Sequence, residues 1–328
     1  MKAVVVHGAN DLRIEEFPDP VPRDGEVLVA MEWGGICGSD ISYWRHGATG
    51  TAVLKHPLVL GHEVAGHVAA VGAGVTGLEV EQRVTIHPAT ASGGYFGSAA
   101  LDPHTDGGFS EFKVVRAEMV RVLPDTVETE RGALAEPLGV AMHAVNRAGR
   151  VRGRAVLVNG AGPIGSLIVA AAKYAGAASV VAADVADAPL SIARAMGADG
   201  VVNLAVGERL PTDVELVFEA SGAAAALGGV LHATARNGVV VQVGNLPGQA
   251  VPANLGDLVT RQITWIGSYR FDDEITDAVA AMDNGLDVTP LITHRYPMAE
   301  AAEAIAVAAD PSSGSGKVLI RLGAGPQR

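Results

Sequence analysis

The chain opens with short apolar runs that keep the two-residue period of half-buried strands. Residues 2–6, 26–33, 63–71 and 111–115 alternate or are β-branched, and turns such as Pro20-Val21-Pro22-Arg23-Asp24-Gly25 separate them. This texture predicts a β-rich, barrel-like domain over residues 1–145. At Gly149-Arg150-Val151-Arg152-Gly153 it gives way to strand candidates separated by helix-length segments. The strand candidates are 155–159, 179–184, 200–204, 215–220, 238–244 and 262–268, and together they predict a doubly wound parallel sheet over 146–267. A helix over 163–175 starts with Pro163 in its first turn and stops at Gly176. Residues 268–328 predict a helix (272–284), a short apolar run (288–292), a second helix (298–309) and a strand (317–322). That strand is placed to return to the first domain, with a disordered tail over 323–328.

Composition narrows the function classes. A length of 328 residues suits about two domains. The single cysteine, Cys37, excludes an intrachain disulfide and favours a reducing, cytoplasmic setting. A net charge of −12 disfavours a broad grip on nucleic acid or anionic membrane, leaving small neutral or modestly charged partners. The Met1-Lys2-Ala3-Val4-Val5-Val6 start meets His7 and Gly8 before any signal-peptide apolar region develops. The most apolar long window, 166–183, carries Lys173 and Gly176, so no membrane span is expected.

Gly160-Ala161-Gly162-Pro163-Ile164-Gly165 follows an apolar strand and opens a helix. Here Gly160 allows a tight turn, Gly162 lets the backbone approach a pyrophosphate, and Gly165 lets the helix pack on the strand; the helix N-terminus faces the anion. Asp184 ends the second strand, where a carboxylate accepts ribose hydroxyls and repels a 2′-phosphate. Val185-Ala186-Asp187 supply no arginine, so NAD is favoured over NADP.

The first domain carries zinc-ligand chemistry. Cys37 lies in Gly35-Ile36-Cys37-Gly38-Ser39-Asp40, and His62 and Glu63 lie in Gly61-His62-Glu63-Val64-Ala65-Gly66. Thiolate, imidazole and carboxylate are established zinc ligands, and three of them leave a position open for substrate or water. The other histidines show no ligand spacing and read as surface or hydrogen-bonded residues.

With Glu136-Pro137-Leu138 and Phe218-Glu219-Ala220-Ser221-Gly222, these motifs make the chain resemble the zinc-dependent alcohol dehydrogenases of the medium-chain dehydrogenase/reductase superfamily. The order matches across nearly the whole chain. Tyr43-Trp44, His46-Gly47-Ala48-Thr49-Gly50, Phe96-Gly97-Ser98-Ala99 and Gly267-Ser268-Tyr269-Arg270-Phe271 resemble the polyol branch, that of the sorbitol and L-idonate 5-dehydrogenases. The resemblance implies an α/β fold: a GroES-like β-rich catalytic domain plus a Rossmann doubly wound parallel-sheet domain. It makes Cys37 and His62 zinc ligands and places Glu63 and Glu136 beside the metal, either being the third ligand. It makes Ser39 the hydroxyl that takes the alcohol proton, with Tyr43 lining the substrate cavity and Arg270 reaching substrate hydroxyls or a carboxylate. Phe96, Tyr269 and Phe271 become pocket walls.

Three departures stand out. The four-cysteine lobe that holds a second, structural zinc in many relatives is missing after Val84-Thr85-Ile86-His87-Pro88, which implies one catalytic zinc per subunit and no structural zinc. Ser42 replaces a histidine of the family's proton relay. Glu81 stands where relatives usually have glycine, at a cost of about 1 kcal/mol if the turn needs positive φ. The implied activity is NAD-linked oxidation of a secondary alcohol, L-idonate to 5-ketogluconate, with sorbitol or xylitol as the alternative substrate. A noncatalytic, crystallin-like nucleotide-binding protein is the competing class; such relatives usually lack the ligands present here. A homodimer or homotetramer built on sheet-edge pairing near Trp265 is also implied.

Overall fold

A computed structural model describes residues 1–246 and 248–323, and two compact units make up the chain. Residues 324–328 of the expected disordered tail lie outside the described residues. The first unit comprises Met1–Glu136 and Ile292–Arg328, and the second Pro137–Leu291. The division falls at 136 and 291. The helix Glu274–Asp283 explains the later boundary: Glu274 accepts hydrogen bonds from His143 (2.8 Å) and Asn146 (3.3 Å), and Ile275, Ala278 and Met282 are buried within the second unit.

In the first unit, Glu26–Gly35 pairs antiparallel with Glu63–Val71, Phe112–Arg116 and Lys317–Arg321. Val27, Val29 and Met31 alternate inward, as a strand with one core face must, and pack with Val4, Val64, Phe109 and Ile320. The register sets Gly35 opposite Glu63 on one side and Leu319 on the other. The strand Lys317–Arg321 thus joins two distant pieces of sequence at the edge where Cys37 follows. The run expected over 288–292 is displaced. A 3₁₀ turn covers Thr289–Leu291, where Pro290 lacks a donor, and the strand is Ile292–Pro297, parallel to Lys317–Arg321. Glu81 does sit at φ 72°, its N–H donating to the Val68 carbonyl at 2.8 Å.

The second unit holds a six-stranded parallel sheet in the order Gly200–Asn203, Ser179–Asp184, Ala155–Asn159, Val214–Glu219, Thr234–Gln242, Thr264–Gly267. The strand order therefore reverses between Ala155–Asn159 and Val214–Glu219, and a ligand crevice belongs beyond the carboxyl ends of those two strands. The helix Pro163–Tyr174 starts at that point, with Leu167, Ile168, Val169 and Ala172 buried along it. Among the described residues no helix is long and apolar enough to cross a membrane.

Candidate metal and nucleotide sites

Cys37 caps the helix Gly38–His46. Its backbone N–H donates to Asp40 Oδ2 at 2.9 Å, while Gly61 N–H donates to Asp40 Oδ1 at 3.1 Å. Asp40 is fully buried, so one carboxylate fastens the cysteine loop to the residue just before His62. Burial pushes the Asp40 carboxyl above its ordinary range, against the pull of His62 and the two N–H donors.

Ligand atoms of Cys37, His62 and Glu63 lie within 4.8 Å of one another. Glu63 is nearly sealed, at 1% exposure, and its Oε1 accepts from Lys317 Nζ at 2.7 Å. Lys317, equally enclosed, also donates to the Ile36 carbonyl at 3.1 Å. Glu63 Oε2 and His62 Nδ1 are buried without a hydrogen-bond partner. A Cβ on Gly35 would fall 2.3 Å from Glu63 Oε2, so only glycine leaves room for that carboxylate. Buried polar atoms rarely go unpaired, and a thiol, an imidazole and a carboxylate that converge with two orphaned atoms fit a divalent zinc ion.

The electrostatics agree. Burial disfavours a charged His62, but Cys37, Glu136 and Asp40 outweigh it and hold the imidazole well above its usual range. The pocket favours positive charge at this point. Lys317 behaves alike: burial lowers it, yet Glu63 and Cys37 raise it further, so it stays an ammonium.

Glu136, in the first turn of the helix Ala135–Arg147, is not one of the three convergent donors. Its Oε1 accepts from the Tyr95 hydroxyl at 2.5 Å, and the Tyr95 ring stands edge-on to His62 at 5.7 Å. Burial pushes Glu136 above the ordinary carboxylate range; His62 lowers it, Glu63 raises it and Tyr95 lowers it. Ser39 lies half-buried in the first turn of Gly38–His46. Tyr43 is sealed in the core, its hydroxyl accepting from Ala99 N–H at 2.9 Å. Phe96 lines a separate recess of about 610 Å³ with Lys113, whose ammonium sits 4.6 Å above its ring. Sequence reasoning missed Lys317, Tyr95 and the anchoring role of Asp40. Only Asp40 left a trace, as the acid three residues into a helix that Cys37 caps.

In the second unit, Gly160 takes φ 92°, and a Cβ there would lie 2.5 Å from Ser221 N. A Cβ on Gly165 would meet the Gly160 carbonyl, at the end of the strand Ala155–Asn159, at 1.8 Å and Val158 Cγ1 within that strand at 3.5 Å, so this glycine admits the close approach of helix, turn and strand. Gly162 has open space in front of it, Pro163 takes the first helical position, and Ile164 is half-buried. Asp184 accepts from Ala161 N–H (2.7 Å), Val185 N–H (2.7 Å) and Ala186 N–H (3.2 Å), which ties the glycine loop to the second strand. Buried Glu219 accepts from Asn159 Nδ2 (2.6 Å), Ser221 N–H (2.7 Å), Gly222 N–H (3.1 Å) and the Ser221 hydroxyl, stitching the two central strands at the switch point. Arg270, at φ 54°, carries its guanidinium 5.1 Å from the ring of the exposed Tyr269, and Phe271 is half-buried.

A GroES-like β unit with a buried Cys-His-Glu cluster and a Rossmann-type unit define a class. Residues 23–125 match the alcohol dehydrogenase GroES-like domain and residues 163–284 the zinc-binding dehydrogenase domain, and the chain belongs to the zinc-binding alcohol dehydrogenase family. It is 37% identical to sorbitol dehydrogenase of Gallus gallus over 92% of this chain and 91% of that one. It is 36% identical to L-idonate 5-dehydrogenase (NAD(P)(+)) of Escherichia coli K12, over 97% of this chain and 98% of that one. The crystal structure of L-idonate 5-dehydrogenase from E. coli superposes with a TM-score of 0.91 at 34% identity, covering 98% and 97% of the two chains.

Proposed function

We propose that this chain oxidises a secondary hydroxyl of a sugar acid or polyol to the ketone with one zinc ion and NAD, L-idonate to 5-ketogluconate being the favoured reaction. The observation that carries this reading is the convergence of Cys37, His62 and Glu63 in a buried pocket where His62 Nδ1 and Glu63 Oε2 lack hydrogen-bond partners. Those three residues would hold the metal. Glu63 is preferred over Glu136 as third ligand because its Oε2 is free while Lys317 holds Oε1. Zinc supplies Lewis-acid polarisation of the substrate oxygen. Ser39 receives the hydroxyl proton, and Glu136 orients the substrate hydroxyl or water beside the cluster. Lys317 neutralises part of the charge that Cys37 and Glu63 gather there.

For the cofactor, Gly160, Gly162, Pro163, Ile164 and Gly165 form the pyrophosphate turn, and Asp184 receives the ribose hydroxyls. The carboxylate of Asp184 stands where a 2′-phosphate would be repelled, so kcat/KM favours NAD over NADP. Asp184→Ala is expected to narrow that preference by about 10- to 100-fold, the equivalent of ~1.4–2.8 kcal/mol. Initial rates with both cofactors read the change, and an unaltered ratio removes Asp184 from this role.

Arg270 supports the sugar acid. A guanidinium facing a carboxylate contributes about 1.5–3 kcal/mol as a charge-assisted hydrogen bond and less when it faces a hydroxyl. Arg270→Ala should therefore cut kcat/KM for L-idonate by roughly 10- to 100-fold, and less for sorbitol. Rates of zinc-replete protein on L-idonate, D-gluconate, sorbitol, xylitol and L-threonine test the substrate directly. Sorbitol dehydrogenases among the relatives favour a second reading, a neutral polyol, and higher rates on sorbitol or xylitol would establish it. A homodimer or homotetramer in the cytoplasm completes the proposal. Thr264–Gly267, with Trp265, is the last strand of its sheet and pairs on one side alone among the described residues.

A further inference from the structure

The segment that stands in place of the missing cysteine lobe is a closed hairpin. Thr90 N–H donates to the Gly94 carbonyl at 2.9 Å, Gly93 N–H returns to the Thr90 carbonyl at 3.0 Å, and Gly94 N–H reaches Thr90 Oγ1 at 2.9 Å. Ala89 and Tyr95 face each other as a bridge pair, and Phe96 N–H closes on the Pro88 carbonyl at 3.0 Å. A Cβ on Gly94 would lie 2.5 Å from Thr105 Oγ1, so the return limb is seated tightly. The side chain delivered at the end of this hairpin is Tyr95, at 8% exposure, between the His62 ring and the Glu136 carboxylate.

We infer that Tyr95 is a positioning residue for the metal centre: its hydroxyl fixes Glu136 beside the Cys37–His62–Glu63 cluster, so that the shortened loop contributes directly to the site. The inference rests on reading that cluster as the zinc site. A donor–acceptor distance of 2.5 Å between a phenol and a carboxylate is in the range of charge-assisted O–H···O⁻ bonds, the stronger kind. Glu136 lies in the first turn of a helix, and the hydrogen bond on its carboxylate comes from outside that helix, from the Tyr95 hydroxyl. The phenol restricts where that carboxylate lies. A phenylalanine would keep the ring against His62 and fill the same space, which isolates the hydroxyl as the part that acts on Glu136.

Partners that orient metal-site groups typically change metal affinity or activity by about 10- to 100-fold when removed. Tyr95→Phe is accordingly expected to weaken cobalt(II) binding, titrated against a chelator, by about tenfold and to alter the absorption bands of the cobalt-loaded protein. With zinc, kcat should fall about tenfold while KM for NAD stays unchanged. In a Glu136→Gln background the same substitution should add little, because the two residues act as a pair. A Tyr95→Phe protein with wild-type cobalt spectrum, affinity and turnover would overturn the inference, as would effects that simply add to those of Glu136→Gln. Failure of the wild-type chain to bind cobalt would instead overturn the zinc reading itself.

Discussion

Cys37→Ala should leave the purified protein with less than stoichiometric zinc and reduce kcat/KM by about a thousandfold or more, because the metal supplies several kcal/mol of charge stabilisation in such reactions. Wild-type protein should carry one zinc per chain. Among the described residues, Cys37, His62 and Glu63 form the one donor group of this kind, and the chain has no second cysteine for a thiolate-rich site. Elemental analysis beside initial rates decides the matter. Full activity in the variant, or two tightly held zinc ions in the parent, would refute the assignment.

The second large effect belongs to Lys317. Removing one partner of a buried ion pair costs about 3–5 kcal/mol, because the remaining charge is stranded away from water. Lys317→Met would do this to Glu63, whose surroundings offer Oε1 no other donor in the described contacts. Urea unfolding in the presence of a chelator should show that loss. Adding Glu63→Gln should recover much of it, since the stranded charge is then gone. A single variant within about 0.5 kcal/mol of the parent, the usual range for surface changes, would show that the pair is not what holds this edge together.

How far the sequence reveals this molecule depends on how local each signal is. The strand before Gly160, the turn and the helix after it form one contiguous run of 3.6- and two-residue periods, and the strands Ala155–Asn159 and Ser179–Asp184 fall where those periods place them. Cys37 and the His62-Glu63 pair are also legible, because each sits in its own short motif. Lys317 is not. It reads as the first residue of an apolar strand, and only the register that puts Leu319 opposite Gly35, and Gly35 opposite Glu63, reveals its partner 254 residues away. Tyr95 is hidden for a related reason: it lies in a connecting segment with no period, and its value depends on a carboxylate 41 positions later. Asp184 is legible as an acid that ends the second strand, yet its three backbone N–H partners are not, since a turn's hydrogen bonds follow from its dihedral angles more than from residue type.

The solitary thiol has a consequence for durability under oxidants. Cys37 is partly accessible and is the only sulfhydryl in the chain. A peroxide that converts it to a sulfenic acid therefore meets no resolving cysteine in the same molecule. Rescue has to come from an external thiol such as glutathione, and without one the oxidation continues to the sulfinic and sulfonic acids. Since the residue at risk belongs to the donor cluster and not to a structural staple, oxidative injury would silence the molecule while the fold around it persists.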